Sequence, residues 1–300
     1  MRRLLLALAL TLGASCAFAQ PGQAQEAPAA APAKELFGAA ARPAPLAARS
    51  IGFYSKGCLA GAEALPVTGP GGGAPLWQAM RLSRNRNWGH PALVDFIERF
   101  AVAVPKVSGW SGILVGDMSQ PRGGPMRTGH ASHQVGLDVD IWLTPGPGRV
   151  LTPEDREKIS ATMMVRPDRL DVDPKAFTRD HVAVIRAAAQ DPQVERIFVN
   201  AAIKKALCRE AGSQRGWMDK VRPYWGHDAH MHVRLYCQKD SPDCRPQEPP
   251  PPGDGCGADL AWWFSDEVLH PKPSPTPSRP KPPLTLADLP AACAAVLEAK

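Results

Sequence analysis

The placement of the cysteine residues limits how this chain can fold more than any other feature of the sequence. Seven cysteines occur in 300 residues, and Cys16 lies in an N-terminal segment that we expect to be removed. The mature chain keeps Cys58, Cys208, Cys237, Cys244, Cys256 and Cys293. An even set in an exported chain indicates three disulfides, although spacing alone does not choose among the connectivities. Because no Cys-x-x-Cys pair occurs, the sequence favours structural cysteines over a zinc ribbon.

The N-terminus has the pattern of a secretory signal peptide. Arg2 and Arg3 precede an apolar run over residues 4–12, and the small-residue pattern Ala17-Phe18-Ala19 follows. This combination predicts a signal peptide over residues 1–19, with an apolar region too short to span a bilayer. A lipoprotein signal at Cys16 is the alternative, but Gly13 stands where such signals usually carry leucine. We therefore expect an exported protein without a membrane anchor.

Composition divides the rest of the chain into four parts. Residues 20–46 are rich in Ala, Pro and Gln and are predicted to be a flexible leader, followed by one folded domain over residues 47–270. Residues 271–283 are a Pro-rich linker, and residues 284–300 form a tail with a short helix, tethered through Cys293. The formal net charge is +6, but no basic run is interleaved with aromatic residues, which argues against nucleic acid as a partner.

Hydrophobic periodicity predicts an α+β domain. Helical spacing marks residues 91–105, 176–190 and 201–211, and strands are predicted over residues 113–115, 137–143, 197–199 and 230–236. Scattered elements of both kinds predict a small antiparallel sheet that carries the functional site, flanked by helices and by long disulfide-tied loops.

The histidines point to the chemistry. Five of the eight histidines fall within two short segments, Gly129–Asp140 and His227–His232. A single histidine on a strand is usually structural, but two clusters on faces that periodicity marks as outside the core favour a site. Alternating acids such as Asp138 and Asp140 are usually a solvated face, so Asp138 is either that or a support for a metal ligand.

Strand geometry predicts which of these side chains meet. Successive side chains of a strand point to opposite faces, so Asp140 shares the non-core face of its strand with Asp138, and His232 shares that of its strand with His230. If the strands are neighbours, one surface collects these groups, and His133 folds back over it from the preceding loop. Two histidines and a carboxylate suit catalytic zinc. The remaining histidines would then serve as general base and oxyanion stabiliser.

The chain resembles a known family. The block Gly129–Asp140, the block His227–Arg234 and the approach Lys220-Val221-Arg222-Pro223 resemble the penicillin-insensitive murein endopeptidases, which are LAS-type zinc metallopeptidases. The resemblance implies that His133, Asp140 and His232 hold the zinc and that activity depends on His227 and His230. It also implies a second metal site at His130, for which Asp168 and Asp171 are the candidate partners, with Asp171 in place of a histidine. The implied disulfides are Cys58–Cys293, Cys208–Cys256 and Cys237–Cys244.

The resemblance also implies an activity. It predicts hydrolysis of the D-alanyl–diaminopimelyl cross-links of peptidoglycan in the periplasm, insensitive to penicillin. In agreement, the Ser-x-x-Lys motif that begins at Ser278 lies in the Pro-rich linker, and no His-Glu-x-x-His motif occurs. The alternatives are a metal-dependent D-Ala carboxypeptidase or dipeptidase, and a non-catalytic wall-binding protein. Arg84, Arg86 and Arg127 are candidates for binding substrate carboxylates, and the sequence allows a homodimer.

Overall fold

The fold is a mixed α+β arrangement in a computed structural model that describes residues 31–272 and 281–300. The strands are β1 (Arg49–Phe53), β2 (Lys56–Ala60), β3 (Glu63–Ala64), β4 (Trp77–Ala79), β5 (Trp88–Gly89), β6 (Ile113–Val115), β7 (Asp138–Trp142), β8 (Val194–Val199), β9 (Val221–Pro223) and β10 (His230–Leu235). The helices are α1 (Ala33–Gly38), α2 (Pro91–Val107), α3 (Pro153–Lys158), α4 (Arg179–Gln190), α5 (Ala201–Glu210), α6 (Ala258–Trp262), α7 (Asp266–Leu269) and α8 (Ala292–Glu298). None of these described helices has the length and hydropathy needed to cross a membrane.

A six-stranded sheet in the order β4-β6-β7-β10-β8-β9 organises the fold, with two-stranded sheets β1-β2 and β3-β5 beside it. Its central strands β6, β7, β10 and β8 pair antiparallel, as predicted. The edge strands β4 and β9 pair parallel with β6 and β8, so the prediction of a purely antiparallel sheet was wrong at both edges. The reason is connectivity: α2 lies between β4 and β6, and α5 between β8 and β9, and parallel neighbours need such crossovers.

The hydrophobic core covers one face of this sheet. Val139 and Ile141 of β7 and Met231 and Val233 of β10 are fully buried there, which confirms the alternation expected from the sequence. Helix α2 packs its apolar stripe into the same core. It begins at Pro91, where the side chain of His90 accepts a hydrogen bond from the amide of Ala92. The opposite face of β7 and β10 carries polar residues, apart from Trp142 at the end of β7.

The leader prediction was wrong for residues 31–46, which belong to the folded body. Helix α1 buries Phe37 completely, in a cluster that includes Cys58, Cys293 and Val296 of α8. The Phe37 ring lies so close to Gly124 that a Cβ there would be 2.2 Å from it. The leader resembled disorder because its apolar residues find their partners at the far end of the chain. The predicted signal peptide, the leader up to residue 30 and linker residues 273–280 lie outside the described residues.

Three disulfides tie the loops and the tail to the sheet. They join Cys58 with Cys293, Cys208 with Cys256, and Cys237 with Cys244, which are the pairs that the resemblance implied. The predicted short helix in the tail is α8, and Cys293 lies within it. The C-terminal tail is therefore covalently tethered to β2.

Candidate metal centre

The pairing of β7 with β10 builds the centre. The antiparallel register sets His232 opposite Asp140 and Arg234 opposite Asp138. All four side chains lie on the face away from the main core, yet all four are buried. The interpretation of Asp138 as part of a solvated face is therefore wrong.

The carboxylate of Asp140 lies at the centre of four histidines. Its Oδ1 is 3.4 Å from Nε2 of His133, 3.4 Å from Nδ1 of His232 and 3.6 Å from Nε2 of His230. Its Oδ2 is 3.5 Å from Nε2 of His130. The predicted ligands His133, Asp140 and His232 are thus brought together, and His130 joins them.

Buried polar atoms in this cluster fit a metal ion. Among the described residues, both ring nitrogens of His133 and Oδ1 of Asp140 are buried and make no hydrogen bond. Burying such atoms unpaired is costly, so a partner is expected. The ligand atoms of His130, His133 and Asp140 lie within 4.8 Å of one another, close enough to hold one ion. Imidazole and carboxylate are ligands that zinc takes.

Asp138 orients His232. Its Oδ1 lies 2.9 Å from Nε2 of His232, which assigns the imidazole proton to Nε2 and leaves Nδ1 free toward Asp140. The same oxygen accepts a hydrogen bond from Nε of Arg234 at 2.7 Å. Burial lowers the pKa of His232 to about 4, so this imidazole is neutral at pH 7 and can bind a cation. Of the two roles that the sequence left open for Asp138, the structure therefore supports the one in which it orients a candidate metal ligand.

The backbone of His133 is strained and held in place. Its φ of 67° lies in the left-handed region, which is uncommon for residues other than glycine and costs about 1–3 kcal/mol. Its amide donates to Oδ2 of Asp138 at 3.1 Å, and its carbonyl accepts from Oγ of Ser119 at 2.6 Å. These bonds direct the ring of His133 toward Asp140.

His227 and His230 flank the cluster, with ring centroids 4.9 Å apart. Nδ1 of His227 is 2.8 Å from the carbonyl oxygen of Trp225, so Nδ1 carries the proton and Nε2 is left with a lone pair. Burial, with His232 and His230 nearby, lowers the pKa of His227 to about 3. This histidine is therefore neutral near neutral pH.

Sequence reasoning missed Asp117, a buried acid in the loop after β6. Its Oδ2 accepts hydrogen bonds from Arg84 at 3.0 Å and Arg86 at 2.8 Å, and lies 3.0 Å from Nε2 of His130. Although burial acts to raise it, the pKa of Asp117 falls to about 2 because His130 and Arg86 stabilise the carboxylate. The only indication in the sequence was the position of this acid, just after β6, the strand that pairs with β7. The three arginines that were candidates for binding substrate carboxylates thus bind carboxylates of the protein itself. Arg84 and Arg86 bind Asp117, and Arg127 binds Glu35.

The predicted grouping of His130 with Asp168 and Asp171 was wrong. His130 lies beside Asp117 and Asp140, as described above. Asp168 is ion-paired with Arg166, and Asp171 with Arg209 at 3.1 Å. Arginine occupies these carboxylates because both acids lie in a surface turn rich in basic side chains.

A cavity of about 360 Å³ opens beside the cluster. Its walls combine histidines of the centre with aromatic side chains, namely His130, His227, His232, Phe53, Tyr54, Phe198 and Tyr224. Such a mixture of apolar walls and a few convergent polar groups is typical of a binding site for an organic ligand.

Fold and site together define a class: a disulfide-bonded α+β protein with a candidate metal centre of histidines and one aspartate. Within this class, residues 50–298 match the family described as penicillin-insensitive murein endopeptidase, and the chain belongs to that family.

Similar proteins carry the same description. A penicillin-insensitive murein endopeptidase of Klebsiella pneumoniae is 47% identical over 251 residues, which cover 84% of this chain and 86% of the relative. The protein of that name from Salmonella heidelberg is 45% identical over 265 residues, covering 85% and 88%. That from Haemophilus influenzae is 44% identical over 236 residues, covering 78% of each chain.

Proposed function

We propose that this chain is a zinc-dependent endopeptidase that hydrolyses the D-alanyl–diaminopimelyl cross-links of peptidoglycan and is insensitive to penicillin. The observation that carries the proposal is the Asp140-centred histidine cluster with its unpaired buried atoms. The names of the similar proteins support murein as the substrate.

The residues that would hold the ion are His133, Asp140 and His232, with His130 adjacent. Bound zinc supplies Lewis acidity and lowers the pKa of a water ligand to about 7. Asp138 keeps His232 in the tautomer that presents Nδ1. His232 therefore needs no change of tautomer before an ion binds.

Proton transfer falls to the flanking histidines. Nε2 of His227 takes a proton from the attacking water as the C–O bond forms, and returns it to the departing diaminopimelyl amine as the C–N bond breaks. Nε2 of His230, directed toward Asp140, stabilises the negative oxygen of the tetrahedral carbon. No acyl-enzyme forms in this scheme, so a β-lactam has no serine to acylate.

We further propose the periplasm as the compartment. Residues 1–19 have the pattern of a signal peptide. The three disulfides also favour an oxidising compartment.

Digestion of purified cross-linked muropeptide dimers by the zinc-loaded mature chain tests the proposal. We expect conversion to monomers in the presence of penicillin, loss of activity with a chelator, and loss in His133→Ala but not in His270→Ala, a histidine outside the cluster. Intact dimers with released terminal D-Ala would instead assign a carboxypeptidase. If the zinc-loaded protein releases neither product, a wall-binding role is assigned instead.

A further inference from the structure

Three tryptophans, two of them exposed, lie next to the candidate metal centre, and their side chains have no role in the proposed mechanism. Trp225, Trp262 and Trp263, here called the tryptophan platform, contact one another with ring centroids 4.8–6.5 Å apart. Trp225 is 52% exposed and Trp262 is 48% exposed. Large aromatic side chains clustered on a surface usually mark a site of interaction.

The platform is held in a fixed arrangement. Nε1 of Trp262 donates a hydrogen bond to the carboxylate of Glu267 at 2.6 Å, which joins α6 to α7. Arg169 donates to the carbonyl of Leu269 at the end of α7. The disulfide at Cys256 fixes the chain just before α6. The rings are therefore ordered before any ligand arrives, which reduces the entropy lost on binding.

The platform is continuous with the metal centre. The carbonyl of Trp225 is the group that fixes the tautomer of His227. Tyr224, the preceding residue, lines both the cavity beside the metal centre and a second cavity of about 100 Å³ at the platform. The two cavities are therefore neighbours that share Tyr224 as part of their walls.

The chemistry around the platform matches a sugar. The second cavity is lined by Trp225 and Trp263 together with the polar residues Asn200, Asp228 and Arg169. A pyranose ring has an apolar face of C–H groups, which packs on the face of an indole, and a rim of hydroxyl and amide groups, which need hydrogen-bond partners. If an apolar surface of a partner protein bound here instead, the polar side chains of the cavity would be left without hydrogen-bond partners.

We propose that the tryptophan platform binds the N-acetylhexosamine glycan strand of peptidoglycan. The proposal rests on the proposed function, because the stem peptide in the first cavity is attached to that strand. In this arrangement the platform binds the sugars while the metal centre receives the peptide cross-link. Its contribution is to the affinity for polymeric substrate, and the bond-breaking residues are unchanged.

The test uses the full mature chain and the double variant W262A/W263A, with Tyr236→Ala as an exposed aromatic control away from the platform. The first probe is peptide-free glycan of alternating N-acetylglucosamine and N-acetylmuramic acid, measured by co-sedimentation or calorimetry. We expect binding to wild type and Y236A, and binding at least about tenfold weaker in the double variant, equivalent to about 1.4 kcal/mol.

A second measurement separates the two proposals. Hydrolysis is compared on intact murein and on a sugar-free cross-linked peptide dimer, and the double variant should lose activity on murein alone. If wild type cleaves neither substrate but binds glycan, the proposed function fails and the platform assignment stands. Equal glycan binding by wild type and variant overturns the platform assignment, as does a variant that alters only self-association in sedimentation.

Discussion

Asp140 of β7 and His232 of β10 face each other directly across the antiparallel pair, with Oδ1 of the aspartate 3.4 Å from Nδ1 of the histidine. The register of two central strands therefore sets the distance between two candidate metal ligands. A slip of one residue would move one of them to the opposite face, where the core lies. Because the core side chains fix that register, the stability of the sheet and the geometry of the centre are coupled.

Replacing Asp138 by Asn should weaken both the fold and the centre. The change removes the negative charge that binds Arg234 and His232, so a buried guanidinium loses its counter-ion. We expect a loss of about 3–5 kcal/mol in the free energy of unfolding, and about 10–100-fold lower metal affinity. Urea unfolding of the metal-free protein and competition with a chromophoric chelator measure the two effects. Asp95→Asn, an exposed acid on α2, is the control, and D138N behaving like D95N would contradict the assigned role.

Separate substitution of the flanking histidines should distinguish proton transfer from metal binding. His227→Ala removes the proton acceptor whose Nδ1 is bonded to Trp225, and kcat on muropeptide dimers should fall about a hundredfold to ten-thousandfold. Metal affinity should stay within a few-fold of wild type, whereas His133→Ala should abolish it. An equal loss of zinc from H227A and H133A would assign His227 as a ligand instead.

Lys204 should make the free energy of unfolding depend on pH in the alkaline range. This fully buried lysine donates hydrogen bonds to the carbonyls of Met218 and Asp254, and burial lowers its pKa to about 7. Between that pH and the pKa of the unfolded chain, about 10.4, the unfolded state binds more protons. The free energy of unfolding contributed by this group therefore rises as the pH increases through that window. Denaturant unfolding at pH 7–10 should show a smaller rise in the free energy of unfolding for Lys204→Met than for wild type. If the two slopes are equal, the pH dependence comes from other groups.

Phe37→Ala should destabilise the protein although the residue lies in a segment whose composition indicates disorder. The ring is fully buried between Gly124 and the C-terminal cluster, so its removal leaves a cavity. We expect a loss of about 3–5 kcal/mol in the free energy of unfolding. Leu46→Ala, exposed in the same segment, should change it by no more than about 0.5 kcal/mol. Similar values for both variants would show that α1 does not contribute to the fold in solution.

The sequence predicted those parts of the site that follow from local periodicity. Alternation along β7 and β10 was enough to place Asp140 and His232 on one face, because side-chain direction in a strand has a period of two. It also predicted the helix that begins near Pro91. These features depend on neighbours along the chain, so a single sequence contains them.

Features that depend on distant contacts were not predictable in this way. Asp117 lies in a loop, where no periodicity indicates which side chain turns inward. Phe37 packs against residues of the C-terminal tail, and no local sequence pattern indicates such a contact. The charges of Asp168 and Asp171 were available to a metal or to arginine, and the order of residues alone does not decide between them.

The disulfide between Cys58 and Cys293 has a further consequence for the integrity of the chain. All six strands of the main sheet and every residue of the candidate metal centre lie between these two cysteines. A protease that cuts one peptide bond anywhere in this interval leaves two fragments that are still covalently joined. The nicked molecule can reassemble as if unimolecular, so one cleavage in a surface loop does not by itself separate the halves of the site.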